Sequence, residues 1–233
     1  MATEAVGNFI ASSAWGRLLT PEQLDRVLRD ASETGAGPGE AICRNGQRSD
    51  YWYGVVDGLV KVSNVGPDGK PTTLIGIPRG GWFGEGSVFK HERRPYDMVA
   101  LRESRVAQVP AATFHWLLAD SIAFNHYLIG QLNTRLAQFV IRCEHLRSYA
   151  PERHVALCLA ELFNPVLYPG TTMTLQLSQE ELSFLAGVSR GIVNRALRHL
   201  EQDGIVEARY GSIEIRDLAA LRASAFRRGR PSA

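Results

Sequence analysis

Residues 178–216 read SQEELSFLAGVSRGIVNRALRHLEQDGIVEARYGSIEIR, and this stretch decides the C-terminal fold. Ser178-Gln179-Glu180-Glu181 has the form of a capping box, in which the Ser178 hydroxyl accepts from the N–H of Glu181 and the Glu181 carboxylate reaches back. A short helix follows with Leu182, Leu185 and Ala186 inward. Gly187 breaks it, and Val188 is the apolar residue that a tight turn buries. Ser189 caps a second helix running to about Gln202, with Ile192, Val193, Ala196, Leu197 and Leu200 inward, and Gly204 ends it. Ile205–Arg209, a Tyr210-Gly211 turn and Ser212–Arg216 form a hairpin. Helix, tight turn, helix and hairpin make a winged helix-turn-helix.

The outward residues of the second helix are Arg190, Gly191, Asn194, Arg195 and Arg198, with no acid among them. Arginine bonds bidentately to guanine edges and asparagine to adenine edges, so this face predicts double-stranded DNA as partner. Arg190 and Arg195 are expected to read bases, with Asn194 either a reader or simply solvated. Arg198, Gln179 and Ser178 are expected on phosphates, and the helix start at Ser189 also suits a phosphate. A solvated basic face is the plainer alternative. Phe226–Arg230 adds Arg227, Arg228 and Arg230.

Upstream, Glu152–Phe163 predicts a helix with Val155, Leu159 and Leu162 on one face, and Asn164–Thr171 a loop. Ser148-Tyr149-Ala150-Pro151 marks a domain boundary, since proline ends one helix and opens the next. Before it, Ile122–Leu146 has no proline and one glycine, Gly130. Leu128, Leu132, Leu136, Phe139, Cys143 and Leu146 are spaced 4, 4, 3, 4 and 3, the seam of a long helix facing another helix. A homodimer interface is expected there, with packing on the chain's own core as the alternative. The expected domains are thus 1–120, a sensor with flanking helices; 121–149, a dimerisation helix and hinge; and 150–233, the winged helix-turn-helix.

Thr20 and Pro21 open a candidate helix, Pro21–Ala31. From Gly35 to Pro110 short apolar runs alternate with turn signals: Glu40–Cys43, Tyr51–Val56, Leu59–Val62, Thr72–Ile77, Met98–Leu101 and Arg105–Val109. Many short strands between Asn45-Gly46, Asp57-Gly58 and Pro67-Asp68-Gly69 read as a sandwich or small barrel.

Bulk charge identifies no partner. Residues 1–150 carry 16 Lys and Arg against 15 Asp and Glu, and residues 151–233 carry 10 against 9. With no long apolar run and no secretory pattern at Met1–Leu19, a cytoplasmic protein is expected. Cys43, Cys143 and Cys158 lie far apart, against a disulfide framework or thiolate metal cage.

The chain resembles the cyclic-AMP receptor protein / fumarate–nitrate regulator (CRP/FNR) family over nearly its whole length. The residues that carry the resemblance are Gly39-Glu40-Ala41-Ile42 with Asn45-Gly46, Val56-Asp57-Gly58-Leu59-Val60-Lys61-Val62, Gly80-Gly81-Trp82-Phe83-Gly84-Glu85, and Leu177–Leu200 with Ser189-Arg190 and Arg195. The resemblance implies an α+β chain: an N-terminal cyclic-nucleotide-binding-type β-roll (jelly roll), a long dimerisation helix and the winged helix-turn-helix. It implies a transcription regulator acting on an inverted-repeat operator, with RNA polymerase as a further partner, and no enzyme. It also places an effector beside Gly84 and Glu85, with Arg93, Arg94, Tyr96 and Arg135 as surrounding candidates.

The departures are specific. Family members that bind cyclic AMP follow Gly-Glu, about ten residues on, with Arg-Ser/Thr; counting from Glu85 puts Pro95-Tyr96 there, and Arg94 substitutes only if the loop slips by one. Phe139 and Val140 stand where those members place hydroxyls against the base. A standard cyclic-AMP site is therefore not expected; another nucleotide, an apolar acid or no ligand at all remain open. No cysteine precedes Cys43, so no iron–sulfur cluster is expected, and none of His91, His115, His126, His145, His154 and His199 forms an evident haem site. Only His91 lies between Gly35 and Pro110, too few ligands for a metal-dependent barrel enzyme. A sensor signalling through a protein partner is the remaining class, and the arginine-bearing helix opposes it. Gly191, where many relatives carry Glu, predicts a different half-site.

Overall fold

The computed structural model describes residues 3–66, 69 and 71–226; the arginines at 227, 228 and 230 lie outside the described residues. The N-terminal part runs α1 (Glu4–Ser12), α2 (Pro21–Asp30), β1 (Ser32–Ala36), β2 (Ala41–Cys43), β3 (Tyr51–Asp57), β4 (Leu59–Val65), β5 (Pro71–Pro78), β6 (Trp82–Phe83), α3 (Glu85–Phe89), β7 (Asp97–Ala100), β8 (Ser104–Pro110) and α4 (Ala111–Asp120). The strands form two four-stranded antiparallel sheets, ordered β1-β8-β3-β6 and β2-β7-β4-β5, which make the β-roll.

The first sheet is buried on both faces, and the alternation of β3 shows why. Tyr53 and Val55 point between the sheets with Val60, Ile75, Ile77 and Met98. Trp52 and Val56 point outward under α1, α2 and α4 with Val6, Ile10, Val27 and Phe114. Trp15, Trp52 and Trp82 pack together there, with ring centroids 4.3–5.1 Å apart. Gly54 is required at the centre of this sheet, since a Cβ would lie 2.7 Å from the Trp82 ring.

The helix α5 (Ile122–Ser148) runs from the roll to the C-terminal domain, where α6 (Pro151–Glu161), β9 (Thr174–Leu175), α7 (Gln179–Ala186), α8 (Arg190–Gln202), β10 (Val206–Arg209), β11 (Ser212–Ile215) and α9 (Leu218–Phe226) follow. Ser178 and Glu181 form the reciprocal capping box, with bonds of 2.7 and 3.2 Å. Gly187 takes φ 66°, the left-handed conformation that lets the Val188 N–H return to Ser183 O at 3.1 Å and closes the turn. The wing pairs β10 with β11 from Val206↔Ile215 to Arg209↔Ser212, and β9 flanks β11. Tyr210 stands fully exposed at its tip.

The three cysteines are free; burial pushes the Cys43 thiol up to about 11 and the Cys158 thiol up to about 12, which keeps both protonated at neutral pH. No described helix is long and apolar enough to cross a membrane.

The seam expected on α5 needs a correction. The helix turns Phe124, Leu128, Gln131, Arg135, Gln138 and His145 toward its own chain. Leu128 is 4% exposed and belongs to the aromatic core; Phe139 packs against the core between the sheets. Neither is on the outer face. Leu132 (39% exposed), Leu136 (63%) and Leu146 (66%) are on it, together with exposed Ile129, Val140 and Cys143. Two faces of one helix satisfy three-and-four spacing, and the apolar pattern follows the outer one because the inner face is polar beyond Leu128.

Candidate nucleic-acid interface and effector pocket

The Ser189 hydroxyl accepts from Ile192 N at 3.4 Å, so α8 starts with its free N–H groups directed outward. Val193, Ala196, Leu197 and Leu200 are buried against α6 and α7, which leaves Arg190, Gly191, Arg195 and Arg198 exposed on an arc about 140° wide. Arg198 and Gly191 occupy the middle of this arc. Asn194 lies between Arg190 and Arg198 but is half-buried, and its amide reaches Gln179 Oε1 at 3.4 Å, joining the two helices of the motif. Ser178 Oγ accepts the capping bond from Glu181 N, which leaves its hydroxyl proton available to a phosphate.

At the edge of the arc Arg195 meets Glu152 in the first turn of α6. Nε and Nη2 of Arg195 both donate to Glu152 Oε1, at 3.4 and 3.1 Å. The Glu152 carboxyl is held below its usual range by its own backbone N–H and then by Arg195, so it stays ionised. Arg195 therefore has one guanidinium edge tethered and its other edge free to meet a bidentate acceptor.

In the roll, Gly84 takes φ 87° and starts α3, placing Glu85 in the interior at 7% exposure with Oε2 unpartnered. Arg94 is 1% exposed; Nη1 donates to Gly84 O at 2.8 Å, Nη2 donates to Tyr51 O, and the guanidinium lies 5.3 Å over the Tyr53 ring. The loop is one residue tighter than the count from Glu85 allows. Arg94 N bonds Gln47 O and Gly46 N bonds Arg94 O, each at 2.8 Å, and this pins the register that turns Arg94 inward. Pro95 faces out. Arg93 is also a correction: it is exposed and donates to Gly46 O at 2.7 Å, away from the pocket. Tyr96 is half-buried, and burial followed by the Glu85 charge raises its pKa.

Arg135 enters from α5. Its Nη1 donates to the Tyr168 hydroxyl at 2.9 Å and its Nη2 to Trp82 O at 3.1 Å. Burial works against its charge, but the Tyr168 and Glu85 oxygens more than offset it and hold its pKa above the ordinary value. Gln131 donates to Trp82 O at 3.2 Å. Two buried guanidinium groups beside one buried carboxylate leave the cluster with positive charge to spare, which suits an anionic ligand.

The two domains meet through both apolar and polar contacts. Arg142 of α5 donates to Glu161 at 2.9 Å, to Leu74 O in β5, and to Leu185 O in α7 at 3.1 Å. Arg102 of the roll pairs with the capping-box carboxylate of Glu181 at 2.7 Å. Leu185 packs on Gly76, where a Cβ would lie 2.7 Å from it. Glu152, Gln131, Arg142, Glu161 and Tyr168 escape sequence reasoning. The polar positions on α5 repeat at helical spacing, which is a signal, but their backbone acceptors lie 43–68 residues away.

A β-roll joined by a long helix to a winged helix-turn-helix is the architecture of a one-chain transcription regulator. Residues 36–121 match the model for the cyclic nucleotide-binding domain, and residues 134–224 match that for the Crp-like helix-turn-helix domain. The chain is 30% identical over 182 residues to the transcriptional regulator SdrP of Thermus thermophilus, covering 77% of this chain and 86% of that one. It is 27% identical over 208 residues to the cyclic AMP receptor protein of the same organism, covering 89% and 94%. A crystal structure of a CRP/FNR-family transcriptional regulator, also from Thermus thermophilus, superposes with TM-score 0.59 at 26% identity, covering 84% of this chain and 100% of that one. The chain belongs to the CRP/FNR family of transcription regulators, which are not enzymes.

Proposed function

We propose that the chain acts in the cytoplasm as a homodimer that binds an inverted-repeat operator and is modulated by an anionic ligand in the roll. The observation that carries the reading is the α8 face: Arg190, Arg195 and Arg198 are exposed on one side of a capped helix. Residues 1–120 are the sensor, 121–149 the dimer helix and hinge, and 150–233 the DNA-binding domain. The outer apolar face of α5 supports the pairing of two copies, because single exposed apolar residues are ordinary but a continuous stripe is not. Arg190 and Arg195 read bases, with Asn194 beside them; Arg198, Ser178, Gln179 and Ser189 set the phosphate register. RNA polymerase is the further partner.

The ligand site comprises Gly84, Glu85, Arg94, Tyr96 and Arg135. Standard cyclic-AMP recognition is not part of the proposal. Arg94 takes the interior place that the sequence count leaves open, yet Pro95 has no side-chain donor, and Phe139 lies against the roll core and Val140 is exposed, each without a polar side-chain group. Filter binding to random duplex, with and without cyclic AMP, tests both parts. Retention in the range of about 1–100 µM at physiological salt, falling with salt and indifferent to micromolar cyclic AMP, is expected. No retention removes the DNA reading. Cyclic-AMP-dependent retention that is lost on Glu85→Ala keeps the site and overturns the exclusion of standard cyclic-AMP recognition.

A further inference from the structure

The connection between α6 and β9 belongs by sequence to the DNA-binding domain, yet part of it is built into the sensor. Asn164 Oδ1 accepts from the N–H groups of Val166 and Leu167, at 3.0 Å each, and this turns the next two side chains inward. Leu167 and Tyr168 are each 2% exposed and sit in the core between the two sheets, with Tyr53, Ile77 and Phe83. The Tyr168 hydroxyl donates to Gly76 O at 3.0 Å and accepts from Arg135 at 2.9 Å. The other arm of the same guanidinium bonds Trp82 O, two residues before Gly84. One buried cation is thus shared between the backbone that leads into Gly84–Glu85 and a tyrosine of the DNA-binding domain.

We propose that Tyr168 is a wall of the ligand pocket supplied by the DNA-binding domain, and that an anion bound beside Glu85 and Arg94 competes with it for Arg135. The proposal rests on the reading of that pocket given above. An anionic oxygen adds the attraction of opposite full charges to its bond with a guanidinium, which a neutral phenol does not, so the anion wins the shared arm. Tyr168 then keeps only its bond to Gly76 O. Gly76 lies under Leu185 of α7, and Leu74 and Leu185 are bracketed by Arg142, so loosening at Tyr168 reaches the helix-turn-helix through residues 74–76 of β5. Binding energies are reciprocal: whatever the anion does to the Tyr168 contact, that contact does to the anion.

The test compares full-length wild type with Tyr168→Phe, which keeps the ring and removes the hydroxyl. Hydrogen exchange is followed over 164–171 and α7, and calorimetry is run with inorganic pyrophosphate and with cyclic AMP. Faster exchange in both segments of Tyr168→Phe is expected, about tenfold. At least one probe is expected to bind the variant about threefold to tenfold tighter, because its competitor is gone. A contact that merely holds the domains together predicts no gain in affinity. Unchanged exchange, or neither probe binding the variant more tightly than wild type, overturns the proposal. Should Tyr168→Phe fail to fold, Arg135→Lys, which keeps the charge and loses the shared fork, is read by loss of the exchange difference that a probe produces between 84–94 and 164–171. Random-duplex retention by wild type is scored separately, so loss of the DNA reading leaves this result intact.

Discussion

Arg195 carries two assignments at once, since its guanidinium is tethered to Glu152 on one edge and exposed on the other. A tethered arginine has fewer rotamers to lose when it meets a base, so its contact is expected to be directional. Arg195→Ala is predicted to cost about 1–3 kcal/mol on the preferred operator and to relax preference at one position. Arg198 sits in the middle of the exposed arc, and Arg198→Ala is predicted to weaken every duplex alike and to flatten the salt dependence. Titrations of both variants against operator and scrambled duplex separate the roles. Equal loss on both duplexes for Arg195→Ala contradicts its assignment as a base reader.

The helix α5 makes an element-scale prediction, because its two faces answer differently to the same substitution. Leu132→Glu with Leu136→Glu alters exposed positions, so the chain is predicted to stay folded, sediment as a monomer and bind DNA weakly through loss of half-site avidity. Leu128→Glu places a carboxylate in the aromatic core beside Phe124 and is predicted to unfold the roll. Circular dichroism and sedimentation together distinguish these outcomes; dimers in the double variant contradict the assigned interface. The same helix explains what is legible in sequence. The recognition unit is readable because its determinants are local: Ser178, Gly187 and Ser189 act within a turn of themselves. The strands from Ala41 onward carry alternation and turn residues. Ser32–Ala36 does not: its sequence SETGA has no apolar face, and pairing with β8 makes it a strand. Leu218–Phe226 is also missed, although Asp217 signals its start by accepting from Ala220 N at 2.8 Å. The pocket is half legible. Gly84, Glu85 and Arg135 follow from the resemblance, whereas the inward turn of Arg94 is set by backbone bonds to Gly46 and Gln47, which no count reveals.

At the scale of the whole molecule, the ends of α5, α6 and α9 meet around His145. Its Nε2 bonds Ala225 O at 2.8 Å, and its ring stacks on Tyr149 and meets His154 and Phe226. Glu144 and the Ala225 carbonyl favour its charge, and Arg142 and His154 oppose it. Burial dominates and lowers its pKa below the ordinary 6.5. The unfolded chain therefore binds the extra proton more readily, so the stability from this packing is present above pH about 6.5 and is lost as pH falls below it. Denaturation midpoints measured from pH 7.5 to 5 are predicted to fall less steeply in His145→Gln than in wild type. Parallel curves would remove His145 as the cause.

Reading DNA through two copies of α8 is the central claim, and selection of bound duplexes from a random library by the purified protein, with the stoichiometry of the selected complex, tests it most directly. Two-fold symmetry requires the recognition helices to enter successive major grooves about 34 Å apart. The predicted result is an enriched inverted repeat with half-site centres roughly 10 base pairs apart, bound by two chains. No enrichment over the starting library, or a single half-site bound by one chain, would contradict the account.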